Sequence, residues 1–207
     1  IDAGTDEHLW AEIYDRELTA ENLFRIQSEV SQAIATALQA TLSPEEAERI
    51  NALPTTNLQA YEAYLRGRQR WEARTADSTA QAVELFLNAI ELDPKFAEAW
   101  AGLGDAYRHQ VFYGGLPAFE MLPKAEDAIN KALELNPTFA SAFYNRGNAH
   151  ASMSDWESAV SDFDEAIRLR PGFDAALRSR GTVHLNRKDY DKALADIDAA
   201  LRIDPGN

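Results

Sequence analysis

Asn145-Arg146-Gly147, Asp155-Trp156, Asp162-Phe163 and Ala166-Ile167-Arg168-Leu169-Arg170-Pro171 are followed, 34 residues later, by Ser179-Arg180-Gly181, Asp189-Tyr190, Asp196-Ile197 and Ala200-Leu201-Arg202-Ile203-Asp204-Pro205. The stretch from Ala140 to Asn207 thus states one pattern twice, and a fixed period of this size is the signature of a stacked-repeat array. Working outward from it, prolines close successive units at Pro94, Pro137, Pro171 and Pro205. An alanine stands twelve residues before each proline (Ala82, Ala125, Ala159, Ala193) and another five before (Ala89, Ala132, Ala166, Ala200). Between them, eight before, stand Phe86, Ile129, Phe163 and Ile197. Spacings of four and three place each trio on one helical face. Two small residues flanking a large one let a second helix come close and receive the large side chain as a knob. Gly104, Gly147 and Gly181 mark the expected closest approach on the preceding helix.

Trp100-x₂-Leu103-Gly104-x₂-Tyr107 and the later Ala-x₃-large-x₂-Ala pattern with its closing proline resemble the tetratricopeptide repeat (TPR). The resemblance implies an all-α helix-turn-helix solenoid over residues 57–207, in units of about 57–96, 97–139, 140–173 and 174–207. The first unit is degenerate, with Tyr61, Tyr64, Leu65, Gly67 and Trp71 in place of the full signature. The Pro94–Pro137 interval is 43 residues, nine more than the next two, and the excess falls between Arg108 and Pro117. Its Val111, Phe112 and Tyr113 invite two readings: a core extended by longer helices, which is the favoured one, or an insertion loop that contacts a ligand through Phe112 and Tyr113.

Residues 1–53 read differently. Leu9-Trp10-Ala11-Glu12-Ile13-Tyr14 alternates as a strand does, behind the turn-forming Gly4-Thr5-Asp6. A helical stripe follows from Leu23 to Leu42. Ser43-Pro44-Glu45-Glu46 then restarts a short helix with a capping box, expected to reach about Ala52. This part resembles the end of the small α/β segment preceding TPR arrays in bacterial adenylate cyclases and membrane-anchored winged-helix regulators. The resemblance implies a remnant of an upstream α/β segment and a longer parent chain with its catalytic or DNA-binding domain elsewhere. It leaves the compartment open: periplasmic if the region follows a membrane anchor, cytoplasmic otherwise.

Composition narrows the functions. The 207 residues carry a formal charge of −14 and no cysteine. Thiolate metal sites, disulfides and cysteine nucleophiles are excluded, and so strong an acidic balance repels a phosphate backbone. No phosphate loop, nucleophile elbow or His-Glu-x-x-His is present, so no enzyme and no cofactor is expected. The carboxylates two apart (Asp162/Asp164, Asp189/Asp191, Asp196/Asp198) do not face each other on a helix and read as caps and solvated faces. His150 and His184, 34 apart, read as aromatic-sized packing residues, not as a metal pair. Arg146 and Arg180 stand where Leu103 stands in the preceding unit, and Asp162 and Asp196 appear on the second helix only in those two units. The pairing predicts ion pairs Arg146–Asp162 and Arg180–Asp196.

The TPR resemblance also implies that the first helices line a concave groove that binds protein or peptide. The expected lining is Glu98, Asp105, Arg108 and His109, then Tyr144, Asn145, Asn148 and Ser152, then Arg178, Thr182 and Asn186. Missing lysines argue against a clamp for a terminal carboxylate. The expected function is therefore a non-enzymatic scaffold, the interaction or sensory region of a larger bacterial regulator. The alternative is a structural oligomerisation module of a signalling enzyme such as an adenylate cyclase. Leu194, Leu201 and Ile203 have nothing to stack on, so either more repeats follow in a longer parent chain or this end docks on another molecule, a homo-oligomer through the last repeat or the N-terminal strand being one form of that.

Overall fold

The computed structural model describes residues 25, 26, 29, 30 and 54–204. The expected strand at 9–14, the restarted helix at 43–52 and most of the 23–42 stripe lie outside the described residues.

From Asn57 onward the described chain is helix after helix: α1 (Leu58–Glu72), α2 (Ala76–Leu92), α3 (Ala97–Phe112), α4 (Ala118–Leu135), α5 (Ala140–Ser152), α6 (Trp156–Leu169), α7 (Asp174–Asn186) and α8 (Tyr190–Ile203). Prolines set the rhythm. The residues before them, Asp93, Asn136, Arg170 and Asp204, are all extended, with φ between −144° and −132°. A proline ring clashes with helical backbone at the preceding residue, so each second helix stops there. Helix starts are held by side chains where the sequence supplies one. The Asn57 carboxamide oxygen accepts from the Ala60 N–H, Thr75 and Ser78 form a reciprocal capping box, and the Asp155 carboxylate accepts from the Ser158 N–H.

Each odd-numbered helix packs on the even-numbered one that follows it, and each even-numbered helix packs on the next unit. The odd-numbered helices also touch one another in series, forming the inner layer of a solenoid. The trios Ala82/Phe86/Ala89, Ala125/Ile129/Ala132 and Ala159/Phe163/Ala166 are completely or almost completely buried. The glycines opposite explain the fit. A Cβ on Gly147 would lie 2.7 Å from the Phe163 ring, and one on Gly104 would lie 2.4 Å from Ile129 Cγ1 and 2.8 Å from the Ala125 carbonyl oxygen. Those distances are shorter than atoms can approach, so the hairpins close only around glycine. The all-α helix-turn-helix solenoid is what the chain forms.

The nine extra residues of the α3–α4 unit lengthen its helices. Helix α3 has 16 residues against 13 in α5 and α7, and α4 has 18 against 14 in α6 and α8. The aromatics do not extend the core, however, and the favoured reading of them is corrected. Phe112, Tyr113, Leu116 and Phe119 are exposed, Phe119 by 79%. Both helices outrun those of the two units that follow, and the tip between them stays at the surface. The turn itself is made at Gly115, with φ +65°, a conformation that glycine adopts without a Cβ clash.

Candidate functional site: a concave groove and its polar latches

A groove of about 470 Å³ runs along the inner layer. From α1 and the turn after it come Tyr64, Arg68, Trp71 and Arg74. From α3 come Glu98, Asp105, Arg108 and His109, and from α5 Ser141, Tyr144 and Asn145. Arg170 and Phe173 close the far end from the loop between α6 and α7.

The expected lining residues divide accordingly. Glu98, Asp105, Arg108, His109, Tyr144 and Asn145 come together in this groove. Asn148, Ser152, Arg178, Thr182 and Asn186 do not reach it. Several of those satisfy their own helices: Ser152 Oγ donates to the Asn148 carbonyl at 2.8 Å, Thr182 Oγ1 donates to the Arg178 carbonyl at 3.0 Å, and Arg178 Nη1 lies 2.8 Å from Asp174 Oδ2. Phe112 and Tyr113 sit beside the groove and not in its lining. The Arg108 guanidinium lies 5.6 Å from the Phe112 ring centre, and Tyr113 meets His109 edge-on at 5.3 Å.

Asp105 and His109 are buried, where the sequence reading expected exposed groove residues. Trp71 is the cause. Its ring stacks on His109 with centroids 5.1 Å apart and planes 8° from parallel. Burial pushes the His109 pKa down to about 4, with Arg108 and Arg74 adding to the effect and Asp105 opposing it. The imidazole is therefore neutral at pH 7. Arg108 Nη2 lies 2.7 Å from His109 Nε2; a guanidinium can only donate, so Nε2 accepts and Nδ1 carries the proton. Arg108 also grips Asp105 Oδ1 through Nε and Nη2 at 2.9 and 2.7 Å. Burial raises the pKa of Glu98, and that of Tyr64 despite its hydrogen bond with Arg68.

The sequence reading missed Arg68 and Trp71 because their unit lacks the full signature. A signal was present all the same. They stand one and four residues after Gly67, as Asp105 and Arg108 stand after Gly104. Arg170 and Phe173 were missed because they lie in a connection between units. There the Arg170 guanidinium lies 3.2 Å from the Phe173 ring centre.

Beyond the groove, the two expected ion pairs are present and bidentate. Arg146 donates through Nε and Nη2 to Asp162 at 2.9 and 2.7 Å, and Arg180 to Asp196 at 2.9 and 2.6 Å. Both aspartates are buried, so they are not the solvated faces expected of them. His150 Nδ1 lies 3.0 Å from Asp162 Oδ2, so this histidine joins the polar latch; His184 Nε2 stands 3.9 Å from Asp196 Oδ2, beyond hydrogen-bond distance, and is buried beside its pair as a packing residue. Burial alone would raise the Asp162 pKa; His150 and Arg146 outweigh it and hold the carboxyl below its usual value. The same contact raises the pKa of His150. No cluster of three or more metal-ligating side chains occurs among the described residues.

The family model for the tetratricopeptide repeat matches residues 71–114, 120–172 and 144–207. The chain belongs to the tetratricopeptide repeat family. A thermophilic TPR protein of Thermus thermophilus superposes with a TM-score of 0.65 at 18% identity, over 91% of this chain and 93% of that one. The first TPR of Spaghetti (RPAP3), solved with an HSP90 peptide bound, superposes with a TM-score of 0.53 at 17% identity, over 66% of this chain and 99% of that one. In sequence, a 103-residue stretch is 38% identical to a Rhizobium meliloti (strain 1021) protein named "Putative adenylate cyclase 3". That stretch is 50% of this chain and 17% of the relative's length. No helix among the described residues is long and apolar enough to cross a membrane.

Proposed function

We propose that this TPR array is a non-enzymatic scaffold whose groove binds an extended, acidic segment of a partner protein. One observation carries the reading. In a chain of charge −14, four arginines (Arg68, Arg74, Arg108, Arg170) converge on one groove together with Trp71, Tyr144 and Phe173. Guanidinium groups suit carboxylates, flat rings suit side-chain stems, and the Asn145 carboxamide offers both a donor and an acceptor for peptide backbone. The peptide-bound structural relative supports this use of the fold. The proposal extends to setting: the array serves as the interaction region of a larger bacterial regulator, with residues 1–53 as a segment separate from it. Similarity to part of a protein named as an adenylate cyclase supports that setting. The alternative, an oligomerisation module of such an enzyme, draws on the apolar side chains left exposed along α8.

An array of eight-residue peptides of graded charge tests the reading. Acidic peptides should be enriched on the wild-type chain and lost with Arg68→Glu or Asn145→Ala, and binding should weaken as salt rises. Equal capture of acidic and basic peptides, or capture indifferent to both substitutions, would remove the groove from the proposal.

A further inference from the structure

The groove holds one charge that an acidic ligand does not explain. Two carboxylates line it, those of Glu98 and Asp105. Asp105 is answered inside the molecule, because Arg108 grips its Oδ1 through Nε and Nη2. Glu98 is not. It stands half-buried in the first turn of α3 and forms no ion pair or hydrogen bond with another side chain among the described residues. Burial raises its pKa, and only its own backbone N–H works the other way. Tyr64 of α1 is near enough for the carboxylate to add to the effect of burial on the phenol.

Glu98 also lines a second cavity, of about 500 Å³, on the side of the loops that join the units. Phe139, Ser141 and Arg170 belong to both linings, so the two hollows adjoin at this carboxylate. Lys95 lines the second cavity and Arg170 lines both, yet neither forms an ion pair with Glu98 among the described residues. Taking a carboxylate from water without a counter-charge is unfavourable. At the wall of a cavity the counter-charge can arrive with a ligand. The half-buried Phe139 ring beside it suits an alkyl stem or a cation.

We propose that Glu98 is a specificity residue of the groove. It takes the cationic group of a lysine or arginine in an otherwise acidic segment, with the stem of that side chain along Phe139. The inference rests on the groove reading above and sharpens it: the segment carries one basic residue among its carboxylates. Attraction between several guanidinium groups and several carboxylates leaves the register of an extended chain loose. A single carboxylate at a fixed point selects where the basic residue falls and rejects an acidic one there.

The probe is a blocked, fluorescent octapeptide of alternating glutamate and serine, with four derivatives in which one serine is replaced by lysine. Binding to the full chain is read by anisotropy at one salt concentration. At least one derivative should bind the wild-type chain about tenfold tighter than the parent, the coupling of one partly desolvated charge pair. Glu98→Gln should erase that gain and at the same time strengthen binding of the parent, because a like charge is gone. A merely structural carboxylate would weaken both peptides together, which would overturn the proposal. Glu98→Asp, which keeps the charge, should retain part of the gain. No gain from lysine at any position overturns the proposal, and so does a gain that survives Glu98→Gln, which would mean general attraction to an acidic chain. The two readings fail separately. A parent that does not bind, beside lysine peptides whose binding requires Glu98, would overturn the acidic groove and support Glu98; binding of neither would overturn both.

Discussion

The unit of α3 and α4 and the unit of α5 and α6 close the same kind of hairpin with different chemistry. In the first, buried Leu103 and Ala128 belong to one apolar cluster, and Gly104 admits Ile129. In the second, Arg146 takes the place of Leu103, Asp162 takes the place of Ala128, and Gly147 admits Phe163. Apolar contact tolerates sliding, whereas a bidentate guanidinium–carboxylate pair holds one geometry. The arginine units also extend one hydrogen bond to the unit before. The apolar unit has its polar groups free for another place, and they gather in the groove around Trp71 and His109. The array therefore separates a part that fixes the stacking register from a part that presents chemistry.

The largest expected effect attacks what the two units share. Gly104→Val would drive its side chain into Ile129 and the Ala125 carbonyl, costing about 3 kcal/mol in urea unfolding. Gly181→Ala, whose Cβ would be no closer than 3.3 Å to any neighbour, should change stability by under about 1 kcal/mol. Equal losses at the two sites would mean that hairpin spacing is not set by the glycine.

Next in size, Asp162→Asn leaves Arg146 and His150 without their anion and should cost about 2 kcal/mol. Replacing the pair together, Arg146→Met with Asp162→Leu, should recover most of it and bring the second unit closer to the first. A double variant as unstable as the single one would show that the latch contributes more than charge compensation.

The smallest effect near neutrality is one of pH. His109 has a folded pKa of about 4 against an ordinary 6.5, so its contribution to stability is complete above 6.5 and is lost as pH falls toward 4. Over that whole span the difference converts to roughly 3 kcal/mol at most. His150, with a raised pKa, acts oppositely: its contribution is present below 6.5 and is lost as pH rises through the folded value. His109→Gln should therefore flatten the acid-side loss between pH 6.5 and 4, and His150→Gln should flatten the loss that sets in as pH rises above 6.5, both read from melting temperature against pH. A His109→Gln curve parallel to wild type would place the histidine outside the core formed with Trp71.

Much of the architecture was legible before any coordinates. The Ala-x₃-large-x₂-Ala face, the closing prolines and the contact glycines act through neighbours within a turn or a hairpin. The Arg–Asp pairs were legible for a related reason, since the two residue types coincide at one register in the last two units and both are absent from the Leu103 unit, although Arg66 in the first unit faces the Leu85 position. The groove was legible only by half. Trp71 bridges to His109 from a degenerate unit, and Phe112 and Phe119 are left exposed at the tip between α3 and α4. Such facts arise between repeats, in distances that no local pattern encodes.

The sequence by itself determined the period, the helix ends and the polar latches, because each follows from backbone sterics or from side chains held at a fixed helical offset. Only the tertiary structure decided that Asp105 and His109 are buried, that Trp71 stacks on His109, and that four arginines share one groove. Curvature and stacking bring those residues together, and they are set by the packing of whole units.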